Sequence, residues 1–173
     1  FSHVIFFNPN NIKSAHYNPL AEIRKGIFEV RDTHNIADIL TDPQGDKEGS
    51  HWRDTARSLI IGSILHLLYS APVEDQNLNG LVRLLSNPER PIADTLKEMI
   101  KFPHLLDDSG KPTFPHPIVA ATARDILNKS ENERSGVLST VLRFIDLYRD
   151  PIIAHITRDS DFRIADLLTS EKP

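Results

Sequence analysis

The stretch that decides the fold runs from His51 to Ser70 and reads HWRDTARSLIIGSILHLLYS. Its apolar residues recur at helical spacings and form one broad stripe. Ile61 and Leu65 make the second half apolar nearly all round, and such a helix usually lies at the centre of its domain. Ser50 can cap its first turn. The stripe consists of Trp52, Ala56, Leu59, Ile60, Ile64, Leu67 and Leu68.

A second strong helix signal follows Asn128, where the sequence reads NKSENERSGVLSTVL. Ser130 and Glu133 form an S-x-x-E capping box, in which each side chain satisfies a backbone N–H of the first turn. Apolar residues then recur at helical spacing, so we expect this helix to reach Arg149, before Asp150-Pro151 breaks it. Small residues on one side would let another backbone approach closely: Ser135, Gly136, Ser139 and Thr140.

The rest of the chain predicts shorter helices and one strand. The apolar run Val4–Phe7, closed by Asn-Pro-Asn-Asn, predicts a buried strand whose partners lie outside this chain. Asp161–Leu168 fits either a helix or an extended segment. We therefore predict a mainly α-helical bundle of about seven helices, with polar or proline-rich loops at Thr41–Ser50 and Phe102–Pro117. The other helical segments are a short one ending near Gly26, Phe28–Leu40, Leu78–Leu85, one beginning at Pro91, Ile118–Leu127 and Ile152–Ile156.

Composition bounds the class of protein. The 173 residues are 39% hydrophobic, enough for one core and one domain. A net charge of −4 does not suit a surface that attracts nucleic acid everywhere, although a local basic patch is compatible with it. The absence of cysteine suits a reducing compartment. The apolar run Leu59–Tyr69 is too short to span a bilayer, and a start without Met indicates an excised fragment.

Motifs for catalysis are missing from the sequence. A phosphate-binding loop requires G-x-x-x-x-G-K-[ST], but Gly110-Lys111 is followed by proline, and Leu105 stands where the first glycine belongs. No nucleophile elbow accompanies a Ser–His–Asp set. His51-Trp-Arg-Asp54 is better explained by Trp52 anchoring the core. We therefore expect no catalysis by this chain.

The eight histidines favour structural roles over a metal site. No histidine has another at i+4, the spacing that helical zinc sites use. His104 and His116 could meet across the proline-rich loop, but we favour a solvated loop there. His66, inside the apolar helix, is expected to be a hydrogen-bonded core or interface residue.

Motifs in a fixed order resemble the coupling proteins of type IV secretion systems, the TraG family. They begin with Tyr17-Asn-Pro-Leu-Ala-Glu-Ile-Arg24 and Asn35-Ile-Ala-Asp-Ile-Leu40, and they cover nearly the whole chain. Val141, where a small residue is expected, is a minor departure that affects only packing. The other motifs are His51-Trp52, Ile64–Tyr69, Ile126–Ser130, Glu133–Thr140, Arg149–Pro151, Ser160-Asp-Phe162 and Asp166-Leu167.

The resemblance implies a parent protein much larger than this chain. Coupling proteins are membrane-anchored, hexameric, RecA-like ATPases that pass DNA–relaxase complexes or protein effectors to a secretion channel. Their core is interrupted by an all-α domain that faces the cytoplasm. On this reading, residues 1–16 and 159–173 are stubs of the ATPase core around an all-α domain at 17–158. ATP and magnesium would bind the parent outside this chain, and the membrane anchor would also lie outside it.

Two functional hypotheses follow. The first is a substrate-recognition domain for relaxase–DNA complexes or effectors, at the cytoplasmic face of the bacterial inner membrane. The second is a structural domain that contacts neighbouring subunits of the hexamer or other secretion components. The basic residues are scattered among acidic ones, which favours a mixed-charge solvated face on pattern alone. The candidate DNA contacts are Lys25, Arg53, Arg57, Lys129 and Arg134.

Overall fold

The structure, a computed structural model, describes residues 4–42 and 51–169. It confirms the predicted fold class, since α-helices dominate and the one sheet in the described residues has two short strands. Short 3₁₀ turns lie at Pro19–Glu22, Val73–Asp75 and Asp146–Arg149. The helices are α1 (Glu29–Thr41), α2 (His51–Ser70), α3 (Leu78–Leu85), α4 (Ile92–Lys101), α5 (Pro117–Asn128), α6 (Glu131–Ile145), α7 (Pro151–Ile156) and α8 (Ile164–Thr169).

Helix α2 occupies the centre of the bundle, as predicted. Every residue from Leu59 to Leu68 is buried, and α1, α3, α5 and α6 all pack on it. Gly62 allows α5 to approach closely, because a Cβ atom there would lie 3.0 Å from the Thr122 side chain. The predicted cap at Ser50 and the loop from 43 to 50 lie outside the described residues.

Trp52 does not anchor the core as the sequence suggested. It is 44% exposed, because it stands in the first turn of α2, beyond the fully covered part of that helix. Its ring instead lies against Gly136 of α6, where a Cβ atom would come within 3.0 Å. Trp52 therefore covers part of the small-residue side of α6. This contact also places the first turns of α2 and α6 at the same end of the bundle.

Val4–Phe7 forms no strand within this chain, and the strand that pairs with partners outside the chain stays a prediction. These residues carry no strand and their side chains are exposed, because a strand needs a neighbour to pair its backbone groups. The sheet forms instead inside the proline-rich loop, where β1 (Leu105–Leu106) pairs antiparallel with β2 (Pro112–Phe114). This hairpin turns at Gly110, whose φ of +80° is in the left-handed region.

The ends of α6 and α7 show how side chains set helix limits. Ser130 caps α6 by accepting from the Glu133 N–H at 3.2 Å, which is one half of the predicted capping box; the Glu133 carboxylate lies instead 3.3 Å from the Lys129 ammonium. The helix ends at Ile145 rather than at Arg149, since the chain tightens there into a 3₁₀ turn. Asp150 then caps α7 by accepting from two N–H groups, and Pro151 is the first residue of that helix.

Candidate functional site

Two of the family-like motifs, more than a hundred residues apart in sequence, meet at one side of the bundle. The Tyr17 N–H donates to the Ile156 carbonyl at 2.9 Å, and the Asp161 N–H donates to the His16 carbonyl at 3.0 Å. The Asn18 N–H donates to the Ser160 hydroxyl at 2.9 Å. We call these paired segments, 16–18 and 156–161, the junction. It holds together the segment that leads into the helical bundle and the segment that leads out of it.

Aromatic rings reinforce the junction. Tyr17 stacks on Phe162 with 5.3 Å between ring centroids, and Phe7 meets both rings edge-on. Hydrogen bonding by His16 lowers the pKa of the Asp159 carboxyl.

A cleft of about 680 Å³ opens beside these residues. It holds more acidic than basic side chains, so it does not suit a phosphate backbone: Glu74, Asp159, Asp161 and Asp166 against Arg158 and Arg163.

Two of the five candidate DNA contacts lie on α2 and face α1. Arg53 approaches Asp42, with 3.8 Å between Nη1 and Oδ1. Arg57 pairs through Nε with Asp38, and its Nη2 lies 3.2 Å from His34 Nδ1. Their charges are thus offset by acidic residues at the C-terminal half of α1, and they tie that helix to α2.

Two more candidates lie at the turn between α5 and α6. The ammonium of Lys129 lies between Asp125 at 3.7 Å and Glu133 at 3.3 Å. Arg134 donates through Nη1 to the Leu127 carbonyl at 2.9 Å and to the Lys129 carbonyl at 3.0 Å. Arg134 therefore satisfies carbonyl groups at the C-terminus of α5, where a positive charge is also favoured by the helix dipole.

Lys25 lies at the other end of α2 from Arg53. Its ammonium donates to the Leu68 carbonyl at 2.7 Å and sits 5.3 Å from the centroid of the Tyr69 ring. Leu68 is fifteen residues beyond Arg53, which corresponds to roughly 22 Å along the helix axis. The five candidates therefore do not converge on one site, and each has an intramolecular partner. Their role in DNA binding stays a prediction.

The described residues around Gly110-Lys111 do not fit a nucleotide phosphate. The N–H groups of Ser109 and Lys111 donate to Asp107 Oδ1 at 2.9 and 3.0 Å. These hydrogen bonds, with that of the Ser109 hydroxyl first, lower the pKa of Asp107 to about 2. A carboxylate thus occupies the position that a phosphate would need, and no helix begins at Lys111.

A buried chain of three histidines, which we call the histidine network, fixes the base of the hairpin. The backbone N–H of Ile118 donates to His116 Nδ1 at 3.2 Å, and that of His116 donates to His104 Nδ1 at 3.0 Å. Because both Nδ1 atoms accept, both rings carry their proton on Nε2. His104 Nε2 then donates to His66 Nδ1 at 2.9 Å. All three rings are therefore neutral.

Glu29 completes the histidine network from α1. Its buried carboxylate accepts from the Tyr69 hydroxyl at 2.6 Å and from the Gly26 N–H at 2.9 Å. Its other oxygen lies 3.3 Å from His116 Nε2. Burial, and then the bond to Glu29, raise the pKa of Tyr69. The network thus connects α1, α2 and the proline-rich loop through hydrogen bonds with an assigned donor at each step.

Burial keeps two imidazoles of the network neutral. It lowers the pKa of His66 to about 4, and it lowers that of His104 to about 4, with repulsion from the neighbouring imidazoles adding to the effect. The expectation of a solvated loop is therefore wrong at His104 and His116, which are buried. The predicted hydrogen-bonded role of His66 is confirmed. Sequence reasoning assigned no role in this site to Glu29, which carries no local signal of burial, or to Tyr69, which it treated only as the end of an apolar run.

Across residues 4–42 and 51–169, no group of three or more His, Cys, Asp or Glu side chains is placed to hold a metal ion. Within the same part of the chain, no helix combines the length and apolar character that crossing a bilayer requires.

Comparison with known proteins identifies the family. The family model described as "Type IV secretory system Conjugative DNA transfer" matches residues 1–172. One Escherichia coli protein named "Conjugal transfer protein TraG" is 37% identical over 174 residues, which is 98% of this chain and 26% of that protein. A second E. coli protein of the same name is 37% identical over 160 residues, or 91% of this chain and 24% of its own length.

The chain thus spans about a quarter of the length of the curated relatives it matches. The match nevertheless extends over almost all of the chain, including both motifs that meet at the junction. The protein belongs to the TraG family of type IV secretory system conjugative DNA-transfer proteins.

Proposed function

We propose that this chain is the substrate-recognition domain of a coupling protein for conjugative DNA transfer or effector export, with no catalysis of its own. The observation that carries the proposal is the family match over residues 1–172 by a chain that covers only a quarter of its relatives. The absence of a phosphate-binding fit at Gly110-Lys111 supports it further. The ATPase would then be a property of the parent, with ATP and magnesium bound outside this chain.

The junction supports the insertion of this domain into a larger core. An inserted domain needs its entering and leaving segments close together, and here His16 and Asp161 are hydrogen-bonded neighbours. The stubs at 1–16 and 159–173 would continue into the core, where Val4–Phe7 could find the strand partners that it lacks in this chain. Residues 1–3 and 170–173 lie outside the described part of the structure.

The proposed parent is a membrane-anchored homo-hexamer with this domain at the cytoplasmic face of the bacterial inner membrane. Its partners would be a relaxase–DNA complex or protein effectors, together with other secretion components. The chain itself would reach the membrane only through an anchor elsewhere in the parent.

A pull-down across a salt series tests the receptor role. The chain and the full-length parent are each presented with the native relaxase–DNA complex and with effectors. Retention of cargo by both supports the proposal, whereas retention by the parent alone assigns recognition to another domain. The DNA contacts are tested by charge reversal at Lys129 and Arg134, which should weaken binding and flatten its salt dependence. Arg143, which is exposed on α6, serves as a matched control.

One observation favours the structural alternative. All five candidate cations already have partners within the chain, so their charges are partly offset before any phosphate approaches. Crosslinking in the assembled hexamer separates the two roles. Crosslinks from Ser135 and Ser139, on the exposed side of α6, to a neighbouring subunit would support the structural role. Crosslinks from the same positions to cargo would support recognition.

A further inference from the structure

An exposed surface at the start of α1 combines aliphatic, aromatic and cationic groups. Ile27 is 91% exposed and Phe28 is 37% exposed. The Arg24 guanidinium lies 4.4 Å from the centroid of the Phe28 ring, and that of Arg31 lies 5.0 Å from it. We call Arg24, Ile27, Phe28 and Arg31 the Phe28 patch. Both distances are within the range of favourable cation–π contacts.

The backbone that carries the Phe28 patch is held in place. Gly26 turns the chain with a φ of +90°, a conformation that favours glycine. Its N–H donates to Glu29 of the histidine network, and its carbonyl accepts from the Glu29 N–H at 3.2 Å. Ile27 is therefore presented to solvent by a fixed corner rather than by a free loop. A partner would bind without first ordering this segment, which lowers the entropic cost of association.

The charge of the Phe28 patch is only partly offset. Arg24 binds Asp32 through two hydrogen bonds of 2.8 Å, and the Arg24 backbone N–H donates to the same carboxylate at 3.1 Å. The Arg24 bond lowers the pKa of Asp32 to about 2, so this carboxylate stays charged and is already occupied. Among the described residues, Arg31 has no carboxylate within 4 Å. Lys25 stands next to the patch, on a chain whose net charge is −4.

We propose that the Phe28 patch binds a short acidic segment of a protein partner, with an apolar side chain of that segment covering Ile27. This inference rests on the proposed recognition function and names the class of partner. Carboxylates would pair with Arg31 and with the exposed edge of Arg24, since guanidinium groups bind carboxylates in a bidentate manner. The apolar contact would remove Ile27 from water.

Three observations favour such a segment over a nucleic acid strand. The aliphatic side chain of Ile27 offers no ring on which a base could stack, and base stacking is the main contact of single-strand binding. The Phe28 ring already receives two guanidinium groups. The net negative charge of the chain repels a long polyanion, whereas a short segment responds mainly to charges within a Debye length of roughly 8–10 Å.

Fluorescence anisotropy with three labelled peptides tests the proposal. The first probe is a short peptide that contains several glutamates and leucines. In the second, glutamine replaces every glutamate, and in the third, serine replaces every leucine. An oligothymidylate of similar length is the nucleic acid probe. We expect the first peptide to bind at least about fivefold more tightly than either altered peptide, a difference of about 1 kcal/mol.

Variants of the chain locate the site. Ile27→Ser and Arg31→Gln should each weaken binding of the first peptide by about fivefold or more. Ile39→Ser and Arg143→Gln are the matched controls, since Ile39 is an exposed aliphatic residue of α1 and Arg143 an exposed cation 5.9 Å from the Phe144 ring centroid. These two should stay within about twofold of the unaltered chain.

Different results would reject acidic-segment binding by the Phe28 patch and the recognition function of the chain. Equal binding of all three peptides, no binding of the first peptide, or equal losses in the control variants would each reject the Phe28 patch as an acidic-segment site. Tighter binding of oligothymidylate, with its loss in Arg31→Gln, would assign the patch to nucleic acid instead. In each case the pull-down of native cargo decides the recognition function independently.

Discussion

Mild acid should destabilise the fold through the histidine network. His66 and His104 have pKa values of about 4 in the folded chain, against about 6.5 in an unfolded one. A lowered histidine pKa means that the fold favours the neutral ring. The stability that the neutral rings contribute is therefore fully present above pH 6.5 and is lost as the pH falls from 6.5 towards 4.

The expected magnitude follows from the same two values. At pH 5, each imidazole should cost the fold RT ln[(1 + 10^1.5)/(1 + 10^−1)], which is about 2 kcal/mol relative to pH 8. The two rings share a hydrogen bond and titrate as a pair, so the combined loss should lie between about 2 and 4 kcal/mol. The charges of Glu98 and Arg90, which act on His66 in opposite directions, form an ion pair with each other.

The carboxylates with lowered pKa values affect the stability of the fold only at lower pH. Asp32 and Asp107 have pKa values of about 2 in the fold. Their contributions are therefore present above about pH 4 and are lost only as the pH falls below it. Urea unfolding followed by circular dichroism at pH 8 and at pH 5 thus measures mainly the histidines.

The variant His66→Asn distinguishes the contribution of the histidine network to this pH dependence from that of the other histidines. Asparagine keeps an acceptor near the position of Nδ1 for His104 Nε2 but removes one titrating ring. The loss of unfolding free energy between pH 8 and pH 5 should fall by about half in this variant. His155→Gln, which alters an exposed ring, should leave the loss unchanged. A pH dependence identical in His66→Asn and the unaltered chain would refute the reasoning.

Four substitutions test local features by thermal or urea unfolding. Gly80→Ala should cost about 1–3 kcal/mol, because its Cβ atom would lie 1.9 Å from the Asp75 carbonyl oxygen; Gly110→Asn, in open space at a positive φ that asparagine adopts more readily than other side chains, should cost less than about 1 kcal/mol. Ser130→Ala removes the α6 cap and should cost about 1 kcal/mol, and an unchanged midpoint would deny that the cap contributes. Asn18→Ala should cost about 2 kcal/mol, because this buried amide caps a 3₁₀ turn and donates to the Arg158 carbonyl across the junction and to the Gln76 carbonyl; a loss below about 0.5 kcal/mol would contradict its bridging role.

The sequence predicted those helices whose signals are local. The C-terminal limit of α2 and both limits of α3 agree with expectation, because apolar periodicity and flanking polar residues mark these ends. The end of α6 was misplaced because it depends on a tertiary contact. Asn79 of α3 donates through Nδ2 to the Tyr148 carbonyl at 2.7 Å, inside the 3₁₀ turn that follows α6. Nothing near Tyr148 in the sequence indicates that partner.

Less of the candidate site could be predicted. Arg57 and Arg134 looked available for DNA because charge pattern cannot show which carboxylates or carbonyls lie opposite in the fold. The histidine network was predicted only at His66 for the same reason, since Glu29 and His116 are far apart in the chain and meet only after packing. The Phe28 patch was not predicted either, although arginines flank an Ile-Phe pair within a single short segment.

The junction also determines how the bundle would respond to mechanical load. A force that separates the segments before His16 and after Asp161 would act first on the few hydrogen bonds between them and on the stack of Tyr17 with Phe162. The helices would bear no tension until those contacts had parted. The contacts of the junction would thus break before the helices unfold, and the bundle would keep its shape while the junction opened.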